Sequence, residues 1–129
     1  MPFSHPIEVR FRDVDALGHV NHAVVVSYLE VARYAWWRDF LKERGFQSEG
    51  FLIARVEVDY RAPIHLGDEV VVELGCPRVG RTSFDLDYRV RCKDRLLAEG
   101  RTVQVMLDFA SGRPCAIAPA TRAWLETQA

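Results

Sequence analysis

The chain has 129 residues, 49% of them hydrophobic and 27% charged, with a formal net charge of −1. That length fits one domain whose core needs no disulfide or metal staple, and the near-neutral charge gives no global footprint for nucleic acid. No run of ~18 apolar residues appears, so no membrane span is expected, and Met1 to Ile7 lacks the basic start and apolar core of a secretory signal, which leaves the cytoplasm as the expected location. Cys76, Cys92 and Cys115 lie far apart and form no Cys-x-x-Cys pair, so three reduced, packed thiols are expected. The 17 basic residues include only two lysines, Lys42 and Lys93. Arginine suits bidentate grips on phosphate, but a genome that favours arginine codons accounts for such a bias by itself, so each arginine is argued by position.

In chain order, Ile7-Glu8-Val9-Arg10-Phe11-Arg12 alternates apolar and charged residues and predicts a half-buried strand. From about Ala23 to Glu43 apolar residues crowd together, among them Val24, Val25, Leu29, Trp36, Trp37 and Phe40. This stretch is too long for a strand, and Glu30, Arg33 and Arg38 fall at three- to five-residue steps, as on one edge of a helix. Gly45 is the predicted stop. A helix apolar nearly all round is expected to be buried nearly all round.

Four further segments each read as a strand with one apolar face. The apolar sets are Leu52, Ala54, Val56, Val58 and Tyr60; Val70, Val72, Leu74 and Cys76; Phe84, Leu86, Tyr88, Val90 and Cys92; and Val103, Val105, Leu107 and Phe109. Gly67-Asp68, Val79-Gly80, Lys93-Asp94 and Ser111-Gly112 supply turns. Pro119 to Thr127 reads as a short terminal helix or tail. Short turns imply antiparallel neighbours, and a sheet with one apolar face must cover it. The long helix is the only element able to do so. The expected class is α+β, with residues 1–129 forming a single domain: an antiparallel sheet of about five strands wrapped around one long central helix, which is the hotdog architecture.

Between the first strand and the helix, Arg12 to His22 concentrates Asp13, Asp15, Gly18, His19, Asn21 and His22. Free backbone N–H groups and the positive end of the helix dipole meet there. Such a place suits a developing oxyanion, and a nearby carboxylate can serve as base or nucleophile. The same residues also read as a capping loop, with Asn21 as N-cap, the aspartates favouring the dipole and Gly18 in a turn. Composition leaves both readings open.

The stretch Asp13-Val14-Asp15-Ala16-Leu17-Gly18-His19-Val20-Asn21, followed by Tyr28-Leu29-Glu30 and Arg33, resembles the signature of the 4-hydroxybenzoyl-CoA thioesterase family. Val58 to Asp68, Arg81-Thr82-Ser83 and Ala98-Glu99-Gly100 resemble it in the same order, so the likeness covers nearly the whole chain. The resemblance implies hydrolysis of an acyl-CoA or aryl-CoA thioester. Asp15 matches the catalytic aspartate, attacking directly or through water. The backbone N–H near His22 matches the group that polarises the thioester carbonyl. Gly18 would let the backbone approach substrate, and His19 and Asn21 would hold the loop or orient the carbonyl. Two departures, His22 where asparagine is common and Val25 where an aromatic residue is frequent, bear on the acyl group rather than on the reaction.

For the phosphates of coenzyme A, Arg81 stands in a turn beside Gly80, Thr82 and Ser83, and Arg61 is a second candidate. Arg89 and Arg91 alternate with apolar residues, as a solvated strand face does. Trp36, Trp37 and Tyr34 read as core, and Glu30 as a partner of Arg33. His19 and His22, with Asp13 and Asp15, could ligate a metal, but His5 and His65 fall in other segments and the resemblance implies none. No cofactor is expected, coenzyme A being part of the substrate. A hotdog hydratase would want Asp and His around an Asn-Pro dipeptide, whereas Ala16-Leu17-Gly18 separates Asp15 from His19. A non-catalytic acyl-CoA-binding module and a hydrolase of carrier-protein thioesters also stand open. The resemblance further implies self-association as a homodimer or homotetramer, with sheets joined edge to edge. An open sheet with long edges has a physical motive for that.

Overall fold

The long helix, α1, runs from His22 to Arg44 in a computed structural model that describes residues 1–44 and 49–129. Gly45, its predicted stop, lies outside the described residues. Around α1 the chain forms β1 (Phe3–Ile7), a 3₁₀ turn (Phe11–Asp13), β2 (Glu49–Tyr60), β3 (Val70–Val79), β4 (Ser83–Cys92), β5 (Arg95–Asp108), β6 (Arg113–Pro114) and α2 (Pro119–Glu126). All pairs are antiparallel, in the order β1-β3-β4-β5-β2, with the two-residue β6 added to β5. Leu29, Ala32 and Trp36 of α1 join Val72, Leu74, Phe84, Leu86 and Val90 in one buried cluster. The result is the hotdog fold, and α1 and α2 lie on the same side of it.

Four details differ from the sequence reading. The first strand ends at Ile7, and Phe11, expected to face the core, is 83% exposed. The chain leaves the sheet there because Asp13 Oδ2 accepts from the Arg10 N–H at 2.9 Å and folds Arg10 to Asp13 into a turn. The helix is not buried all round: Val31 and Tyr34 are 47% and 66% exposed. A single open sheet covers only one side of a cylinder.

On β5 the inward set is inverted. Thr102, Gln104 and Met106 are buried, while Val103, Val105 and Leu107 are only half-buried on the other face. The polar pair is admitted because it is satisfied. Arg33 of α1 donates to the Tyr88 hydroxyl at 3.1 Å, that hydroxyl is hydrogen-bonded to Thr102 Oγ1 at 2.7 Å, and the Gln104 amide donates to the Phe84 carbonyl at 3.0 Å. On β2 the register shifts between Ile53 and Arg55. Phe51, Ile53 and Val58 therefore share the inward face, Val56 on the same side of the strand stays 43% exposed, and Leu52 turns outward.

Candidate active site

The loop into α1 is stitched to the segment that follows β2. Val14 bridges to Val20, His19 bridges to His65, and the Val20 N–H donates to the Ile64 carbonyl at 2.8 Å. Gly18 sits at φ +82°, a left-handed conformation that side-chain-bearing residues resist. Its N–H closes a turn on the Asp15 carbonyl at 3.0 Å. Gly18 is thus explained by its backbone angle.

That turn presents Asp15. Its Oδ1 accepts from the Leu17 N–H at 2.9 Å and from the His19 N–H at 3.4 Å. Its Oδ2 has no hydrogen-bond partner among the described residues. A carboxylate held by one oxygen keeps the other for a proton or a carbon. Asp15 is exposed and lines a cavity of about 400 Å³ together with His19, His22, Val25, Tyr60, Ile64 and Ala98.

At the cavity wall α1 begins. Asn21 is the cap: its Oδ1 accepts from the Ala23 N–H at 2.9 Å, and its carbonyl accepts from the Val24 and Val25 N–H groups at 2.9 and 3.4 Å. The Asn21 N–H in turn donates to the Asp13 carbonyl at 2.9 Å. One of the first-turn donors is left over. The His22 N–H has no acceptor among the described residues, and the helix dipole adds positive potential at that place.

The two carboxylates of the loop are sorted by environment. Asp13 is buried and accepts from the Tyr28 hydroxyl at 2.7 Å and from the Arg10 N–H at 2.9 Å, with the Arg10 guanidinium 3.5 Å away. Burial alone would raise its pKa, but the Arg10 N–H, the Tyr28 hydroxyl and the Arg10 charge together hold it below the ordinary carboxylate value. Asp13 fastens β1, the turn and α1 together. Of the two, Asp15 alone lines the cavity.

Among the other expected site residues, Arg61 reaches the cavity, with its guanidinium 3.0 Å from Glu99 and 3.7 Å from Asp59. Arg81, Thr82 and Ser83 do not join it. Ala98 at the cavity pairs with Val90, and Ser83 begins the same strand at its other end, roughly 23 Å away at ~3.3 Å per residue. Ser83 Oγ there accepts from Arg78 at 3.0 Å. Glu30 lies 3.9 Å from Arg33, as its spacing suggested. Arg91 pairs with Glu73 at 2.9 Å on the solvated face, where Arg89 is exposed. Cys76 is buried, which pushes its thiol up to about 11 and makes it a poor nucleophile.

Two neighbours escaped the sequence reading. Tyr60, counted only as an apolar strand residue, donates its hydroxyl to the His22 carbonyl at 2.7 Å and sets its ring edge-on to the His22 ring at 6.3 Å. His65, set aside as belonging to another segment, stacks edge-on against His19 at 5.1 Å. Strand pairing that returns residues 60–65 to the helix mouth is a long-range event with no local signal. Among the described residues, no group of three or more His, Cys, Asp or Glu side chains is placed to hold a metal ion.

The chain belongs to the Thioesterase-like superfamily, which it matches over residues 9–125. It is 28% identical to a 1,4-dihydroxy-2-naphthoyl-CoA hydrolase of Synechococcus sp. (strain CC9605), covering 92% of this chain and 85% of that one. It is 29% identical to the acyl-CoA thioester hydrolase YbgC of Escherichia coli O6:H1, with 89% of each covered. The crystal structure of a thioesterase from Thermus thermophilus, complexed with coenzyme A and Zn, superimposes with a TM-score of 0.84 at 39% identity, covering 97% of this chain and 92% of that one. Among the described residues, no helix is long and apolar enough to cross a membrane.

Proposed function

We propose that this protein hydrolyses an acyl-CoA or aryl-CoA thioester to the free acid and coenzyme A, with Asp15 as base or nucleophile and the His22 N–H as oxyanion donor. One observation carries the assignment of roles: Asp15 and His22, which between them carry a carboxylate oxygen and an amide without partners among the described residues, line the same cavity. The thioester carbonyl rests against the start of α1. Attack on its carbon, by Asp15 or by a water that gives Asp15 its proton, moves the carbonyl electron pair onto oxygen beside the His22 N–H. The carbon–sulfur bond then breaks, and coenzyme A leaves as a thiolate. In the direct route, water afterwards cleaves the acyl–aspartyl anhydride. An oxyanion donor contributes about 3–4 kcal/mol to such a step and a positioned base ~100- to 10,000-fold in rate. These steps call for no cofactor.

Val25, Ile64, Pro63 and Ala98 give the cavity an apolar side, and Tyr60 and His22 give it an aromatic rim. The names carried by relatives support a coenzyme A thioester, aryl or acyl. A cytoplasmic location agrees with that substrate and with the reduced thiols of Cys76 and Cys92.

We further place a second copy along β2. This strand pairs on one side with β5 and has no strand on its other side among the described residues. It exposes Leu52 and Val56, 44% and 43% accessible. Antiparallel pairing of two such edges would set the Arg81–Ser83 end of one copy toward the Asp15 end of the other, where these residues would approach the phosphates of a bound coenzyme A. Val56→Lys should shift the protein to a smaller species in light scattering; an unchanged mass would remove the β2 interface.

The test of the reaction is free-thiol release from a panel of acyl-CoA and aryl-CoA thioesters. Release supports hydrolysis, and the preferred chain names the substrate. A raised melting temperature with an acyl-CoA that is never cleaved supports a binding module instead, and cleavage confined to carrier-protein thioesters replaces coenzyme A as the carrier.

A further inference from the structure

The peptide group joining His22 to Ala23 is held at both ends. Its carbonyl oxygen accepts from the Tyr60 hydroxyl at 2.7 Å, and its N–H donates to Asn21 Oδ1 at 2.9 Å. The peptide before it carries the one first-turn donor with no acceptor among the described residues, the His22 N–H. These two peptide planes share the His22 α-carbon, so holding one restricts the other. First turns of helices are where the backbone is least constrained by its own ladder. Asn21 constrains this one from within the loop. Tyr60 constrains it from across the cavity, at the end of a different element.

We infer that Tyr60 is a positioning residue for the thioester hydrolysis proposed above: its hydroxyl fixes the first turn of α1 and so holds the His22 N–H at the cavity wall. The inference rests on that reading of the site. Tyr60 is suited to it in one further way. Its ring lies edge-on to the His22 ring and lines the cavity. The hydroxyl and the ring thereby have separable roles, one on the backbone and one on the wall that meets the acyl group.

The experiment compares native enzyme, Tyr60→Phe and Tyr60→Leu for kcat, KM and melting temperature on the best thioester of the panel. Tyr60→Phe removes one hydrogen bond and keeps the ring. Its kcat should fall about 3- to 10-fold, the range a single net hydrogen bond supports, with KM and melting temperature unchanged. Tyr60→Leu should show the same fall in kcat and a raised KM as well, because the ring is gone. Because a merely structural loss lowers only the folded fraction, kcat is expressed per folded molecule from urea denaturation of the same preparation, and a merely structural residue would leave that value native. The inference is overturned if Tyr60→Phe keeps native kcat, or if its KM rises while kcat stays put. A native enzyme that cleaves no thioester would overturn the hydrolase reading and this role with it, a result distinct from an active native enzyme beside an unaffected variant.

Discussion

Toward its C-terminal end α1 is gripped by aromatic rings, with Trp36 and Phe40 at 4.7 and 4.6 Å from Trp124 of α2 and Trp37 at 4.9 Å from Phe51 of β2. At its N-terminal end the same helix meets hydrogen bonds from Asn21 and Tyr60, a buried carboxylate beneath, and an exposed carboxylate beside it. The first end is nearly dry and apolar, so what it contributes is burial. The second keeps an N–H and a carboxylate oxygen without partners, a feature that does nothing for folding. On the proposed reading the chemistry belongs to the polar end of this helix, while the aromatic end contributes burial.

Substitutions can break that contrast. The largest expected effect on folding is at the aromatic end. Trp36→Ala should cost about 3–5 kcal/mol in urea denaturation, since Trp36 is fully buried and also donates to Gln128. The folded fraction should retain native kcat. Next is Asp13→Asn, which weakens the charge-assisted bonds beneath the loop. About 1.5–3 kcal/mol should be lost, with activity falling as the loop loosens. A smaller effect should follow pH. Because the folded pKa of Asp13 lies below its unfolded value, its contribution is complete above the ordinary carboxylate value and is lost as pH falls through the folded one. Native protein should therefore lose stability in acid that Asp13→Asn has already lost, and the two melting curves should converge at low pH. The smallest change expected is Gly18→Ala. An added Cβ meets nothing within 4 Å, so only the positive φ is penalised, by about 1–2 kcal/mol.

Much of this division was legible in the sequence, and the failures have physical reasons. The helix was found because its apolar run is too long for a strand and Glu30, Arg33 and Arg38 fall at helical steps along one edge, and Asn21 was a candidate N-cap. β3 alternates over Val70–Leu74 and β4 over Leu86–Val90 with the expected residues inward, while Gly75 and Asp85 are buried out of step with that pattern. On β5 the rule that apolar residues face inward failed, because Thr102 and Gln104 find partners that only the fold supplies. On β2 a register shift, invisible in composition, turned Leu52 outward. At the site, the carboxylate and the glycine could be singled out from their place before the helix. Composition and spacing could not separate Asp13 from Asp15, a choice that rested on the family resemblance alone, since the Tyr28 hydroxyl that claims Asp13 comes from within α1. Nor could they bring Tyr60 and His65 to the helix mouth, which takes the whole of β2 and its pairing with β5.

The central claim is that Asp15 is present for chemistry and contributes little to the fold. Asp15→Asn keeps an acceptor for the Leu17 and His19 N–H groups, so it changes charge and basicity while sparing the turn. The measurement is thiol release and urea denaturation on the same preparation of this variant. The account predicts a ~100- to 10,000-fold loss of kcat with stability unchanged. Native turnover by the variant, or a loss of activity that tracks a loss of stability, would contradict it.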